Sequence, residues 1–444
     1  MIYTDTIKAT DVRITQLTLV SPSGTSVGLL NIMAELNIFE DLFSSVMTGN
    51  IVLNDSQNLI NNLPITGYEF LLLSFEKPGI AVKMSKTFRV YKMTDRIRVN
   101  EQNETYILHF ASEELLISES VLVSRTYTNM PISAIVAEIS KQFLRIQPEK
   151  LAFIRETYGT HTINIPGYHP FHALNHVARY ALSQYKAGAF VFYESRDGYH
   201  FDSLEAMSEQ TPAQLITIAP KNLGYERSQK SDLQQEQEGA ESISFPECFD
   251  TLRSTYDGMY GGLLVTIDPL RQRIKHHYYD GLKQFTNTKH VNRFPFMSGS
   301  QNRFGRAQYE YPEALKRVVL TTKDHDQIPY AQGKQLIRPS RIEEWLIPRL
   351  MYLTGIHSNR VSVAIPGSLI ISVGSVIELK LPAAEEQEKG TKKLDALYTG
   401  RYLVTALRHK VNQRTYSCIA ELSKDSINTV SLNSSNALQD IKRQ

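Results

Sequence analysis

The chain has 444 residues, enough for about three domains at the usual size. Hydrophobic residues make up 42% and charged residues 21%, a globular composition that excludes wholesale disorder. Lys and Arg number 48 against 46 Asp and Glu, a net charge of +2, which argues against a dedicated nucleic-acid or anionic-membrane binder with its strong basic excess.

Met1 to Asp11 carries polar residues where a signal peptide has its apolar core, so synthesis in the cytoplasm without a secretory route is expected. No apolar run reaches the roughly 18 residues of a membrane span. From residue 12 to about 117 the chain reads as β. Val12-Arg13-Ile14-Thr15-Gln16-Leu17-Thr18-Leu19 alternates apolar and polar with period two, which lays one face on a core. Leu29 to Ile38 and Gly49 to Leu53 continue the pattern, and Tyr68 to Phe75 is a short apolar run between Gly67 and Pro78. Phe88 to Val99 and Thr105 to Phe110 alternate again around the turn Asn100-Glu101-Gln102-Asn103. Strands this short and this closely spaced predict a small barrel or sandwich.

Residues 118 to about 215 read as an α+β module. Pro131 opens a helix whose face is Ile132, Ile135, Val136, Ile139 and Phe143. Pro170 opens another, with Phe171, Leu174, Ala178, Leu182 and Tyr185 on one face and Gly188 as its stop. Ala189 to Glu194 and Tyr199 to Phe201 predict a hairpin around Arg196-Asp197-Gly198. Residues 225–241 read as a polar linker or exposed loop, and Leu263 to Ile267 as a strand. Residues 276–338 resist assignment. Ser340-Arg341-Ile342-Glu343 is a capping box, with Pro348 expected to end or kink its helix. β structure returns at Arg360 to Ile365, Val376 to Leu381, Tyr402 to Val411 and Thr415 to Leu422; Ala383 to Lys393 is a charged loop, and a polar tail follows residue 422.

The two β regions echo one another in order. A strand at Asn50 to Leu53, a loop ending in Gly67, the run Tyr68 to Phe75 and Pro78 answer Arg360 to Ile365, a loop ending in Gly374, Val376 to Leu381 and Pro382. A hairpin closes each, with Thr105-Tyr106 matched to Thr415-Tyr416. Duplication predicts two equivalent small barrels, the second completed by the strand near Leu263 and interrupted by residues 276–338.

Sought chemistry is mostly missing. There is no phosphate-cradling glycine motif, no nucleophile elbow and no H-E-x-x-H, so no enzyme and no cofactor are expected. Cys248 and Cys418 are too few for a disulfide scaffold or a four-cysteine zinc site, and predict reduced thiols. His169, His172 and His176 are weak metal candidates: four residues stack the last two on one helical face, yet that face lies opposite the apolar stripe, where a solvated surface belongs. His276-His277-Tyr278-Tyr279 and Asp324-His325-Asp326 read as an ordinary strand end and a loop.

The segments Ile38-Phe39-Glu40-Asp41-Leu42-Phe43, Gly49 to Ser56 and Leu63 to Glu69 resemble the N-terminal barrel of the baseplate hub proteins of contractile-tailed bacteriophages, a family related to the hub part of type VI secretion spike proteins. Gly367 to Val376, Tyr398 to Val404, His409 and Tyr416 to Leu422 are similar to the same family's closing elements. The resemblance implies an α+β, β-rich fold with two tube-type barrels: a first barrel over 1–117, an α+β module over 118–220, a linker and the first part of the second barrel over 221–275, an insertion over 276–340, the rest of the second barrel over 341–425 and a tail over 426–444. It implies a virion protein, a homotrimer whose six barrels adapt a sixfold tail tube to a threefold spike. Expected partners are tube or tube-initiator proteins, a separate trimeric spike and other baseplate proteins, with no nucleic-acid contact required and no membrane insertion. Phe39, Glu40, Asp41, Leu42, Phe43, Leu59, Leu63 and Ile65 are the expected interface; the competing expectation is that Phe39, Leu42 and Phe43 fill their own barrel. Two other functions remain open from sequence: a tail-associated cell-wall hydrolase, and a receptor- or glycan-binding tail module drawing on the Tyr-rich 254–311 region.

Overall fold

The computed structural model describes residues 8–63, 65–100, 103–184, 188–218, 238–269, 272–296, 314–320, 342–383 and 394–428. Its first region holds β1 (Arg13–Val20), β2 (Ser26–Gly28), β3 (Met33–Asp41), β4 (Thr48–Asp55), β5 (Phe70–Glu76), β6 (Lys83–Arg98) and β7 (Glu104–Ser112), close to where alternation places strands. Period two is visible in burial: Leu71, Leu73 and Phe75 of β5 point inward while their neighbours are half exposed. Each such side chain removed from water contributes about 1.5–3 kcal/mol. The turn between β6 and β7 is pinned by the Asn103 N–H, which donates to Asn100 Oδ1 at 2.8 Å. Neighbouring strands run antiparallel in the order β3-β4-β7-β6-β5-β1-β2.

The next region holds β8 (Val123–Met130), β9 (Phe153–Ile154), β10 (His161–Tyr168), β11 (Phe190–Ser195), β12 (Gly198–Ser203) and β13 (Gln214–Thr217). Helix Ile132–Gln142 buries Ile132, Ile135, Val136 and Ile139, with Pro131 as its N-cap residue. Helix Pro170–Ala178 is shorter than its periodicity suggests. Tyr180 and Ala181 donate to carbonyls three residues back, a tightening typical of helix ends. The Tyr158 N–H then takes the Leu182 carbonyl and draws the chain away. The expected hairpin is present as β11 and β12, with Ser195 opposite Gly198 across the two-residue turn Arg196-Asp197. These helices and strands share their own apolar core, which includes Ile135, Leu174, Val177, Phe190 and Phe201.

The remainder holds β14 (Ser242–Glu247), β15 (Gly261–Asp268), β16 (Arg273–Asp280), β17 (Phe294–Pro295), β18 (Lys316–Leu320), β19 (Arg360–Pro366), β20 (Val376–Lys380), β21 (Gly400–Val411), β22 (Tyr416–Ser423) and β23 (Ser426–Ile427). One expectation is corrected here. The Leu263 strand, β15, does not complete the second strand set; it lies with β16 and β18 in a separate three-stranded sheet. That sheet packs Leu264 against Ile347 and Met351 of helix Ile342–His357. The edges of the second set are instead β13, parallel to β20, and β14, antiparallel to β19. A bridge between Thr217 and Gly239 brings these two edges together.

Pro348 does not end its helix, which runs on to His357; the capping-box residues Ser340 and Arg341 lie outside the described residues. Nor does the chain become a solvated tail at residue 423: Ser423, Lys424, Asp425, Ser426 and Ile427 are all buried. The charged loop 384–393, most of 225–241 and the Asp324-His325-Asp326 motif lie outside the described residues.

Candidate functional site: a junction between two matching strand sets

The large sheet is continuous from β14 to β2, in the order β14-β19-β22-β21-β3-β4-β7-β6-β5-β1-β2, with β20 and β13 branching from β21. Its two ends repeat each other. The first set pairs as β5-β6-β7-β4-β3 and the second as β20-β21-β22-β19-β14, every pair antiparallel. The match extends to irregularities. β6 bulges against β7 after Val90, and β21 bulges against β22 after Val404. Val90 and Val404 donate to the carbonyls of Glu69 and Ser375 at 3.0 and 2.9 Å, each carbonyl lying just beyond a left-handed glycine, Gly67 (φ 93°) or Gly374 (φ 81°). The Glu69 carboxylate caps one of these turns by accepting from Thr66 and Gly67 N–H, and the Ser375 hydroxyl braces the other through Ser372.

β3 joins the two sets by pairing with the outer half of β21, Asp41 opposite Ala406 through Leu36 opposite Val411. Buried in that seam, His409 Nε2 faces Glu40 Oε1 at 3.2 Å, and both residues are only 1% exposed. The Tyr416 hydroxyl donates to the Ser368 carbonyl at 3.0 Å, so it accepts from His409 Nδ1–H at 2.7 Å. The ring therefore donates on both sides and carries a positive charge. Burial opposes that charge, but the Cys418 sulfur and the Glu40 carboxylate outweigh it and push His409 up to about 10. On the half-exposed face Arg408 and Lys410 both reach Glu35, at 3.3 and 2.9 Å, and Arg408 Nε donates to Asn37.

The α+β module is fastened to the first set by Glu194 of β11. Its carboxylate accepts from the Met47 N–H at 2.9 Å, the Ser112 hydroxyl at 2.6 Å and Lys86 Nζ at 2.9 Å. Neither Glu194 nor the wholly buried Lys424 stands out in sequence, since no local pattern marks a charged residue that long-range contacts will bury.

The residues expected at an interface divide. Leu42, Leu59 and Leu63 are buried in their own chain's core, and Ile65 packs against that core. Phe39 lies half-buried under Arg408, and Glu40 is in the seam, so both face the second strand set of their own chain. Asp41 is exposed and caps the Phe43 N–H, while Phe43 stays 39% exposed against the His357 ring.

The three candidate histidines are not drawn onto one point. His172 stacks on Tyr168 at 4.5 Å and His176 meets the same ring edge-on, while His169 Nδ1 donates to the Ser118 and Val121 carbonyls. Among the described residues no group of three His, Cys, Asp or Glu side chains is placed to hold a metal. Thr288, His290 and Asp425 form a chain of hydroxyl, imidazole and carboxylate, at 2.8 and 2.6 Å. The Thr288 hydroxyl proton is already used on the Gln284 carbonyl at 2.9 Å, and the cavity beside it is about 30 Å³, space for a water and not a substrate. The trio instead ties residues 285–292 to the chain at Asp425 and Ser426.

No family model matches the sequence, and no curated protein matches it. Solved structures do match. The tail protein from Neisseria meningitidis MC58 aligns over 95% of this chain and 98% of its own, with TM-score 0.51 and 9% identity. The 43 kDa tail protein of prophage MuSo2 from Shewanella oneidensis aligns over 92% of this chain and 98% of its own, with TM-score 0.52 and 9% identity. This chain has the fold of those tail proteins. A component of the Escherichia coli type VI secretion system aligns at TM-score 0.40 and 10% identity, over 95% of this chain and 78% of its own. The resemblance read from the sequence thus holds at the level of the fold, a β-rich α+β architecture.

Proposed function

We propose that the chain is a structural hub subunit of a phage tail baseplate, acting in the virion as a homotrimer. The observation that carries this reading is one chain holding two strand sets of the same pairing order, with a bulge at the matching place and a left-handed glycine in the turn that meets it, joined edge to edge. Each set is read as a small tube-type barrel, the first within residues 1–117 and the second assembled from β13, β14 and β19–β22 on either side of the 261–320 insertion. A threefold object built from such chains presents six like units on one side and three unlike ones on the other. That is what joining a sixfold tail tube to a trimeric spike requires.

The seam supports the reading physically. A pairing between unlike edges leaves a complementary edge free at each end, and only a closed ring satisfies them all. Permanent rings need large interfaces, above about 2,000 Å² in total, and a net charge of +2 imposes little repulsion between copies. The role is structural, with no reaction assigned. Partners in this reading are the tube or its initiator, a trimeric spike and neighbouring baseplate proteins.

The test is a mass measurement on the purified full chain at micromolar concentration in physiological salt, followed by particle images. A mass three times the chain's 50.5 kDa, with six repeated densities in end-on class averages, is expected. A monomer whose averages carry no sixfold repeat overturns the proposal.

A further inference from the structure

We infer that two copies of this chain zip together by adding β14 of one to the outer half of β6 of the next, repeating between chains the pairing that β3 makes with β21 within one chain. The inference rests on the trimeric hub reading and assigns its intersubunit contact.

The argument is one of equivalence. β3 and β14 hold the same place in the two sets, each antiparallel to the strand that follows the closing hairpin in pairing order. β6 and β21 likewise correspond, through the bulges after Val90 and Val404. The first part of each pairs with its neighbour, β5 on Lys83–Arg89 and β20 on Gly400–Leu403. The outer part of β21 is then covered by β3. The outer part of β6, Lys92 to Arg98, has β7 on one side and, among the described residues, no strand on the other. The outer edge of β14 proper, Ser242–Glu247, is likewise unpaired among the described residues; Gly239 and Ala240, just before it, meet Thr217 of β13. An open pair of edges invites another chain, and here each edge is the counterpart of one half of an existing seam.

The register follows from the same equivalence. Arg408 opposite Phe39 becomes Thr94 opposite Glu247, and Lys410 opposite Asn37 becomes Ile97 opposite Ser244. Between those two rungs each free strand carries one extra residue. β6 shifts against β7 between Thr94 and Ile97, with Asp95 at φ 53°, and β14 shifts against β19 between Ser244 and Glu247. Placed together the two bulges face each other, so the extra residues cancel and the ladder stays in step. Pro246, which has no N–H to give, falls inside that bulge, where a rung is lost in any case.

Charge does not oppose the pairing, because it is largely balanced within each chain: Arg96 and Arg98 share the Glu104 carboxylate, at 2.8 and 3.1 Å, and Glu247 of the facing strand already pairs with Arg360. Ile97, 61% exposed in the single chain, gains cover.

The experiment uses the full chain in a Cys248→Ser background carrying Ile97→Cys and Ser244→Cys, both at exposed positions. Mild oxidation is followed by a non-reducing gel, with the native mass measured beforehand. The expected result is a trimeric mass and a ladder of covalent dimer and trimer that reductant collapses. Either single substitution, or Ile97→Cys with Glu241→Cys three residues out of register, should give no ladder, because a disulfide needs Cα atoms within about 7 Å. A trimeric mass without the 97–244 link overturns the assigned edges and leaves the hub reading standing. A monomeric mass overturns both.

Discussion

His409 sits where a single proton matters. Replacing it with Gln leaves Glu40 buried without a cation, and removing one member of a buried pair costs about 3–5 kcal/mol. The pH sign can be worked out. The folded value, about 10, lies above the ordinary 6.5, so the pair's stability is present in full below about 6.5 and is lost as pH rises through about 10. Urea unfolding at pH 6, 8 and 10 should therefore show the gap between wild type and His409→Gln narrowing with pH. A constant gap counts against a charged ring. Lys424 runs the other way. Burial pushes it down to about 7, although Nζ donates to the Leu397 carbonyl and lies 4.6 Å from the Tyr402 ring. Folding then penalises the ammonium below pH 7, and the penalty fades towards the ordinary 10.5. Lys424→Met should stabilise at pH 6, on the order of a few kcal/mol, and much less at pH 10, read from urea midpoints. Sequence could flag His409 through its resemblance to hub proteins, but not its partner, which lies 369 residues away.

At the scale of elements, most strands were legible because period-two alternation is local, whereas their neighbours were not. β13 is only four residues, Gln214–Thr217, and β14 follows a polar stretch, so neither reads as a barrel edge. β15 is the most apolar strand nearby, yet it serves a different sheet; hydrophobicity says that a strand is buried and not where. The Thr-Tyr echo is real in pattern but displaced in space. Tyr106 sits opposite Leu53, and its counterpart opposite Ile365 is Cys418, two residues beyond Tyr416. A slip of two preserves the inward face, which is why sequence cannot detect it. The glycine turns give a sharper comparison. Ala at Gly67 meets only ordinary contact with the Tyr91 carbonyl, 3.7 Å away, and should cost about 1–2 kcal/mol, the strain of the left-handed backbone alone. At Gly374 the added Cβ would also stand 2.6 Å from the Tyr193 hydroxyl, so Gly374→Ala should lower the thermal midpoint further than Gly67→Ala. Equal losses would mean that the Tyr193 side chain gives way and adds nothing to the strain at Gly374.

Over the whole molecule, the seam and the free edges make opposite demands on the backbone, and that difference can be measured without any substitution. In one chain β21 has partners on both sides along Ala406–Val411, so its amides should exchange with solvent slowly, near the rate set by global unfolding. The corresponding stretch of β6, Lys92 to Arg98, is paired on one side only among the described residues, and amides directed to its open edge should exchange orders of magnitude faster. If edges zip between copies, hydrogen–deuterium exchange followed by mass spectrometry across a dilution series should show 92–98 and 242–247 gaining protection together, at the concentration where the mass rises. Residues 406–411 should stay protected throughout. The transition should move little between about 50 and 500 mM salt. A seam made of backbone hydrogen bonds and covered apolar groups is weakly screened, unlike an association held by exposed charges. Protection that rises on 92–98 without 242–247 would place some other surface against β6. A strong salt dependence would hand the association to Lys92, Arg96 and Arg98, and take it away from the strand edges themselves.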